Sequence, residues 1–141
     1  MPRNLDGSTK KIKKPGSLYS QPAHIIDIMP TVIEAANASY PKEHKENKIT
    51  PIEGVSLIKS FSQTDLEDRT LYWEHENNRA VRKGKWKLVT TWDGSWELYN
   101  INSDRAEKNN LASEYPNIVE ELIMDWEAWA WRTGVLPKPS E

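Results

Sequence analysis

The chain has 141 residues, enough for one domain with a modest hydrophobic core, and its formal net charge of -2 gives no strong field for nucleic acid or membranes. It has no cysteine, which excludes disulfides, thiolate metal sites and a cysteine nucleophile. No stretch approaches the ~20 apolar residues of a membrane span, and no signal peptide is visible. We therefore expect a soluble chain, and its compartment is left open.

Lysines concentrate near the N-terminus, where four of them lie between residues 10 and 14, followed by Pro15 and Gly16. This composition predicts a solvated, flexible arm over residues 1–20. A nucleic-acid-binding tail would need interleaved aromatic residues or a second basic patch, and neither accompanies these lysines. We therefore predict no nucleic-acid partner.

The first periodic element is strongly apolar on one face. The face consists of Ile25, Ile26, Ile28, Met29, Val32, Ile33 and Ala36 at helical spacing. We predict a helix from Asp27 to Asn37, with Asp27 as its N-cap, Pro30 in its first turn and Asn37 as a left-handed stop. Such an apolar face on so short an element needs a partner surface.

The next segment is polar and irregular. Residues 38–55 predict a loop, since they contain two prolines, Gly54 and a charged stretch over residues 42–48. Ser56 is placed to cap a short helical turn that ends at Phe61. The polar residues 62–70 predict a linker that contains the main domain boundary.

From Thr70 the hydrophobic period changes to two. Short runs rich in aromatic and branched residues predict four strands, Leu71–His75, Arg79–Arg82, Lys85–Thr91 and Trp96–Asn100. Lys83-Gly84 and Asp93-Gly94 predict turns, so the strands should form an antiparallel meander.

A second helix should begin near Pro116 and end at Gly134. Its apolar face comprises Val119, Leu122, Ile123, Trp126, Trp129 and Ala130. Because a small sheet with one apolar face needs a cover, this helix should pack on the meander. The predicted fold class is α+β, with a small four-stranded antiparallel sheet packed by a C-terminal helix and preceded by a helix and loops.

Metal-binding patterns are weak in this sequence. The three histidines, His24, His44 and His75, lack the spacing of a zinc motif, and His24 is better explained as a structural polar contact. Alternating Asn and Asp at 100–104 lack the glycine and glutamate that an EF-hand requires, so we interpret them as turn residues. We predict no metal ligand in this chain.

One polar cluster, Trp73–Arg79, combines aromatic, acidic, imidazole, amide and guanidinium groups at a strand end. It could bind a sugar or an anion, or it could be the salt-bridged edge of a hairpin. Glu74 and Glu76, if both lie on the strand, would project together, either as acid/base catalysts or as a surface pair. The residues alone leave these alternatives open.

Five segments follow one another in the order of a known family. They are His24–Thr31 (H-x-x-D-x-x-P-T), Glu53–Leu57 (G-x-S-L), the two strand segments Leu71–Glu76 and Arg79–Leu88, and Trp96–Asn100 followed by Asp104, Glu107, Asn110 and Leu111. In this order they resemble motifs from the C-terminal end of sulfatases, in particular bacterial arylsulfatase-like enzymes. The resemblance implies that residues 1–61 are the last piece of the large α/β catalytic domain. It implies that residues 65–141 are the C-terminal subdomain.

The resemblance also implies which residues meet a substrate. In that family the small subdomain lies beside the active-site mouth, so Glu74, His75, Asn78 and Arg79 are the candidate substrate-binding residues. The loop Thr91–Gly94 is the second choice. The implied function is to shape the substrate pocket of a sulfuric ester hydrolase.

The resemblance implies calcium and a formylglycine for the whole enzyme, but this chain holds neither. Formylglycine is made in a C/S-x-P/A-x-R motif, and in the nearest segment, Ser20–His24, histidine replaces the arginine. We therefore predict no catalytic residue here and no activity for the chain alone, which would meet a sulfated substrate only in a complete enzyme.

Partner expectations follow from the same resemblance. The Ile25–Ala36 face should meet the missing catalytic domain or mediate self-association. Two other functions stay open. The chain could be a stand-alone glycan- or protein-binding module that uses Trp92 and Trp96, although burial against the last helix explains these two residues better. It could also be a complementing subunit of a separate catalytic chain.

Overall fold

A computed structural model describes residues 12–137 of the chain. The chain divides into two compact units, Met1–Glu67 and Asp68–Glu141. Residues 1–11 of the predicted arm, like residues 138–141, lie outside the described residues.

The N-terminal unit begins its regular structure with a 3₁₀ helix, Ile25–Asp27, that runs into helix α1, Ile28–Ala35. Asn37 has a φ of 51°, so the predicted left-handed stop is confirmed. The prediction that Asp27 caps α1 is wrong, because its side chain makes no cap hydrogen bond to that helix. His24 caps the preceding 3₁₀ helix, because its Nδ1 accepts from the backbone N–H of Ile26, so the structural interpretation of His24 is confirmed.

The charged stretch over residues 42–48 is not the loop that its composition predicted. It forms a small hairpin of strands β1, Glu43–His44, and β2, Asn47–Lys48. The two residues between the strands, Lys45 and Glu46, have φ values of 47° and 67°, the backbone of a tight hairpin turn. Strands of two exposed residues leave no apolar alternation to detect.

A second short 3₁₀ helix, Ile58–Ser62, follows, and the Ser56 hydroxyl accepts a hydrogen bond from the N–H of Ile58. The segment before it packs tightly on the start of α1. A Cβ atom at Gly54 would lie 2.1 Å from the carbonyl oxygen of Ile26, so only glycine fits there. The Thr31 hydroxyl accepts a hydrogen bond from the N–H of Leu57. The first two sulfatase-like motifs are therefore one packed structure.

The C-terminal unit contains the predicted meander. Its four strands are β3 (Thr70–His75), β4 (Asn78–Lys83), β5 (Trp86–Thr90) and β6 (Glu97–Asn100), hydrogen-bonded in that order. All three pairings are antiparallel.

One of the two predicted turns needs correction. Lys83 pairs with Trp86, so the two-residue connection of β4 and β5 is Gly84-Lys85 rather than Lys83-Gly84. Gly84 has a φ of 56°, which explains the glycine. The turn predicted at Asp93-Gly94 is confirmed, because the N–H of Gly94 donates to the carbonyl of Thr91 at 3.2 Å within the connection of residues 91–96.

Helix α2, Pro116–Thr133, covers one face of the sheet, and Gly134 ends it with a φ of 78°. The core consists of Val81, Leu88 and Leu98 from the sheet and Leu122, Trp126 and Ala130 from the helix. The indole N–H of Trp126 donates a 3.0 Å hydrogen bond to the carbonyl of Trp73, which joins the helix to β3. The predicted α+β fold class is therefore confirmed.

Candidate functional site

The sheet face opposite α2 carries an open pocket of about 680 Å³. Tyr72, Val81, Leu88 and Leu98 form one cross-strand row on the helix side. Because side chains alternate along a strand, the adjacent row, Trp73, Ala80, Val89 and Glu97, lies on the other face. All four residues of this second row line the pocket. The pocket therefore has a floor that one residue from each strand provides.

Three of the four candidate residues from the sequence line this pocket: His75, Asn78 and Arg79. The exposed His75 is the last residue of β3 and pairs with Asn78 across the turn. Thr91 and Gly94 of the second-choice loop line the pocket as well. The strand-end cluster and the loop thus meet at one cavity within the C-terminal unit.

Asn78 physically links these two segments. Its Nδ2 donates to the carbonyl of His75 at 2.9 Å, and its Oδ1 accepts from the N–H of Trp92 at 3.2 Å. A side chain that uses both ends in this way holds the strand end and the loop in fixed relation. Asn78 therefore shapes the rim of the pocket.

Glu74 has a different position. It pairs with Arg79 in a row on the helix side of the sheet, and its Oε1 accepts a hydrogen bond from the N–H of Asn77 at 2.8 Å. Glu76 is not on the strand, because it occupies the turn with a φ of 49°. The expectation that these two carboxylates project together from one strand is therefore wrong. A substrate contact by Glu74 stays a prediction.

The cation of the cluster is packed against the core. The Arg79 guanidinium lies 5.0 Å from the centre of the Trp126 ring, a cation–π distance, while Arg79 also contributes to the pocket lining. The packing restrains the side chain and couples the pocket to the helix that closes the sheet.

Two carboxylates line the opposite side of the pocket, those of Glu97 and Glu107. The buried Tyr99 hydroxyl donates to Glu97 Oε2 at 2.8 Å, and Lys87 donates to Glu107 Oε1. Burial first, and then the hydrogen bond to Glu97, raise the pKa of Tyr99 to about 12. The phenol therefore stays protonated, and it remains a donor to Glu97 at neutral pH.

Asn110 completes this side. Its Oδ1 accepts from the N–H groups of Leu98 and Ala112, and Leu111 donates its N–H to the carbonyl of Leu98. Asp104 Oδ2 likewise accepts from two backbone N–H groups, those of Lys108 and Asn109. The interpretation of the Asn and Asp residues near position 100 as turn residues is confirmed, and they bring Glu107 to the pocket.

Sequence reasoning did not single out Glu97, Glu107 or Asn110 as site residues. Each belongs to the last sulfatase-like motif, where its position indicated only a strand or a turn. Glu97 could have been found from the sequence because it lies on the same face of the sheet as Trp73. That inference needs the pairing register of β5 and β6, which the six-residue connection between them does not fix. Trp92 was expected to be buried, which is wrong because it is 65% exposed, while Trp96 packs against the core as expected.

The calcium that the family resemblance implies does not fit the described part of this chain. Within residues 12–137, no group of three or more His, Asp or Glu side chains is placed to hold a metal ion. The sequence has no cysteine from which a formylglycine could be made. Over the same residues, no helix combines the length and apolarity that crossing a membrane requires.

The relatives of this chain described below are sulfatases. No protein-family model matches it. The chain is 31% identical over 140 residues to an uncharacterized sulfatase of Schizosaccharomyces pombe, a match that covers 91% of this chain and 24% of that protein. It is 24% identical over 160 residues to an ulvan-active sulfatase of Formosa agariphila, which covers 88% of this chain and 32% of that protein. The chain belongs to the sulfatase family.

This sulfatase-family chain corresponds to a C-terminal portion of its relatives and spans 24% and 32% of the length of these two. The chain is similar to a crystal structure of Ps i-CgsB in complex with k-i-k-neocarrahexaose, with a TM-score of 0.62 and 21% sequence identity. The match covers 80% of this chain and 25% of the Ps i-CgsB chain. At that identity the likeness shows the fold alone. The sulfatase resemblance drawn from five motifs is confirmed.

Proposed function

We propose that this chain shapes the substrate pocket of a sulfuric ester hydrolase and contributes none of the groups that cleave the ester. Residues 1–61 would complete the large catalytic domain, and residues 65–141 would form the small subdomain beside its active site. The observation that carries the proposal is the pocket that His75, Asn78 and Arg79 line together with Thr91 and Gly94. Its volume lies in the range of ordinary ligand sites, about 300–1,000 Å³.

The proposed substrate is a sulfated saccharide. One relative is an ulvan-active sulfatase, and the structural neighbour holds k-i-k-neocarrahexaose. The lining of the pocket suits such a ligand, since it combines the indole of Trp73 with amide, hydroxyl and carboxylate groups. These groups would bind the saccharide that carries the ester.

The same proposal makes the isolated chain inactive. Cleavage of a sulfate ester needs a nucleophile and positive groups that stabilise the charge on the sulfate oxygens. Without a cysteine, and with histidine in place of the arginine after Ser20, the chain has no residues from which the family's nucleophile could be made. Calcium and formylglycine would therefore come from another part of the enzyme.

The proposed partner surface is the apolar face of the N-terminal unit. Ile25, Ile28 and Met29 are 76%, 57% and 56% exposed, which is unusual for neighbouring large apolar side chains. We propose that the catalytic domain of the enzyme covers this face and that, in its absence, two copies of the chain associate through it. Sedimentation of the isolated chain as a monomer at all concentrations would count against the second part.

A specificity experiment tests the pocket. In the ulvan-active sulfatase, the matched segment is replaced by this chain, and His75→Ala is compared with His44→Ala, an exposed histidine of the N-terminal hairpin. We expect His75→Ala to lower kcat/KM about tenfold on an ulvan oligosaccharide and to leave a small aryl sulfate unaffected, as the loss of one ligand hydrogen bond does. Equal losses on both substrates, or none on either, would refute the role in selecting the saccharide.

A second function is favoured by one observation. Trp92, 65% exposed, adjoins Thr91 of the pocket lining, so the chain could bind glycans or a partner protein as a stand-alone module. Glycan binding by the isolated chain that Trp92→Ala abolishes, without any gain of sulfatase activity from a catalytic chain, would favour this function. A complementing subunit, in contrast, would restore activity to a separate catalytic chain.

A further inference from the structure

The charge of the pocket is unevenly distributed. Glu97 and Glu107 line one side, whereas the guanidinium of Arg79 packs over the Trp126 ring in the core. His75 is exposed at the strand end. Lys87 compensates the charge of Glu107, so the excess negative charge on the side that faces β6 comes from Glu97, although the proposed substrate is an anion.

Both carboxylates are positioned by the sheet. Lys87 and Tyr99 are direct cross-strand partners in the row next to the pocket floor. Tyr99 donates to Oε2 of Glu97, and Lys87 donates to Oε1 of Glu107. Each contact uses one carboxylate oxygen, which leaves the other for a ligand. The lysine and glutamate side chains of the second pair are only 28% and 31% exposed, so this pair is partly shielded from solvent.

The floor supplies an apolar surface beside these acceptors. Trp73, Ala80 and Val89 are cross-strand neighbours, and they lead directly to Glu97 in the same row. Trp73 and Glu97 stand on the two outer strands of the sheet, three strand spacings or roughly 14 Å apart. A saccharide of more than one ring can therefore place the C–H face of one ring on the indole and the hydroxyl groups of the next ring at the two carboxylates. Hydroxyl-to-carboxylate hydrogen bonds are stronger than neutral ones. A sulfate or carboxylate on the same edge would meet like charge in a partly desolvated site.

We infer that this pocket is a subsite for uncharged sugar rings, with Trp73 as the platform for one ring and with Glu97 and Glu107 as hydroxyl acceptors for the next ring that reject a sulfate. The inference rests on the proposed function for the saccharide nature of the ligand. It adds that the rings bound here are neighbours of the one whose sulfate is cleaved. Glu97 and Glu107 are thus specificity-determining residues.

Binding to the intact 141-residue chain tests this directly. The probes are k-i-k-neocarrahexaose and the same hexasaccharide after chemical desulfation, each titrated into ¹⁵N-labelled protein while the indole N–H of Trp73 is followed by NMR. We expect the desulfated probe to bind about tenfold more tightly, a ratio that corresponds to ~1.4 kcal/mol. Tighter or equal binding of the sulfated probe, or no shift at Trp73 with either probe, overturns the inference.

Substitutions in the pocket distinguish an effect of the carboxylate charges from a loss of folding. Glu97→Gln combined with Glu107→Gln should bring the affinity ratio of the two probes close to one, whereas Glu114→Gln, an exposed control outside the pocket lining, should leave it unchanged. Trp73→Ala should abolish binding of both probes. If Trp73→Ala does not fold, the double carboxylate variant still tests the inference. An unchanged ratio of the two probe affinities in a folded double variant contradicts the assignment.

The outcome is separable from that of the proposed function. Preference for the desulfated probe without any sulfatase activity of a complemented enzyme would leave a glycan-binding subsite and remove the hydrolase role. Activity in the complemented enzyme without saccharide binding at Trp73 would keep the hydrolase role and remove the subsite.

Discussion

The carboxylate of Asp27 accepts a 3.0 Å hydrogen bond from the backbone N–H of Val55, 28 residues away in the sequence. Asp27 is fully buried, and its second oxygen accepts from the N–H of His24 at 2.7 Å. One buried charge therefore holds two of the sulfatase-like motifs together. Gly54 completes the arrangement by allowing the chain to approach the Ile26 carbonyl.

Replacing Asp27 with asparagine tests this contact. The amide keeps the size of the side chain but removes the charge, and one of its ends becomes a donor that faces a backbone N–H. We expect the N-terminal unit to lose about 2–3 kcal/mol of stability. The amide of Val55 should then exchange its hydrogen faster, as measured by NMR, whereas Asp65→Asn at an exposed site should have no effect. Unchanged protection of Val55 would show that the buried contact is dispensable.

The contact of Trp126 with β3 predicts a large effect at a single helix position. Trp126→Phe removes the donor to the Trp73 carbonyl and leaves a void beside Leu88 and Leu98. The C-terminal unit should lose about 2–4 kcal/mol. Trp131→Phe on the same helix is the matched control, because Trp131 is 60% exposed and should change stability by less than about 0.5 kcal/mol.

Urea unfolding followed by tryptophan fluorescence measures both variants. All seven tryptophans lie in the C-terminal unit, so the signal reports this unit alone. Equal unfolding midpoints for the two variants would contradict the account of the core.

The turn between β3 and β4 can be improved. Glu76 and Asn77 have φ values of 49° and 70°, the backbone of a type I′ turn, in which Asn-Gly is preferred. The double change Glu76→Asn with Asn77→Gly should raise the free energy of unfolding of the C-terminal unit by about 1 kcal/mol. The hydrogen bond from the backbone N–H of residue 77 to Glu74 is retained in this variant. A decrease in stability would mean that the Glu76 side chain has a role beyond the turn.

Tyr99 predicts an alkaline transition. Its pKa is about 12 in the folded chain, mainly because of burial and also because of Glu97, against ~10 for an exposed tyrosine. Because the folded-state pKa is the higher one, the stabilisation is complete below pH ~10 and is lost as the pH rises toward 12. Tyr99→Phe should reduce this loss, to which the pKa of Tyr72, raised by burial, also contributes. Phenolate absorbance should then show one late-titrating tyrosine fewer among the five of the parent chain. Five early-titrating tyrosines in the folded parent would contradict the assignment.

The sequence predicts the framework well where burial sets a period. The four strands begin and end within one residue of the predicted positions. Their sequences alternate between residues that face the core, such as Tyr72 and Leu88, and residues on the opposite face of the sheet, and this alternation marks where each strand lies. The helix ends also follow from local chemistry, since Pro116 suits the first turn and Gly134 takes a positive φ. These signals are encoded within a few residues.

Features that depend on distant pairing were not predictable in the same way. The hairpin at residues 43–48 has no apolar face, and its Lys45-Glu46 turn is not a usual turn pair. The buried role of Asp27 depends on residue 55, so local capping rules gave the wrong function for its side chain. The acidic side of the pocket needs both the register of β6 and the course of residues 101–111, which bring Glu97 and Glu107 to one cavity. The residue types were visible, but their juxtaposition was not.

The most direct measurement is hydrolysis of methylumbelliferyl sulfate by the purified chain, with and without the part of the Schizosaccharomyces pombe sulfatase that lies outside the matched segment. We predict that the chain alone releases no product and that the combination does. Hydrolysis by the chain alone would contradict the claim that its chemistry resides in another part of the enzyme.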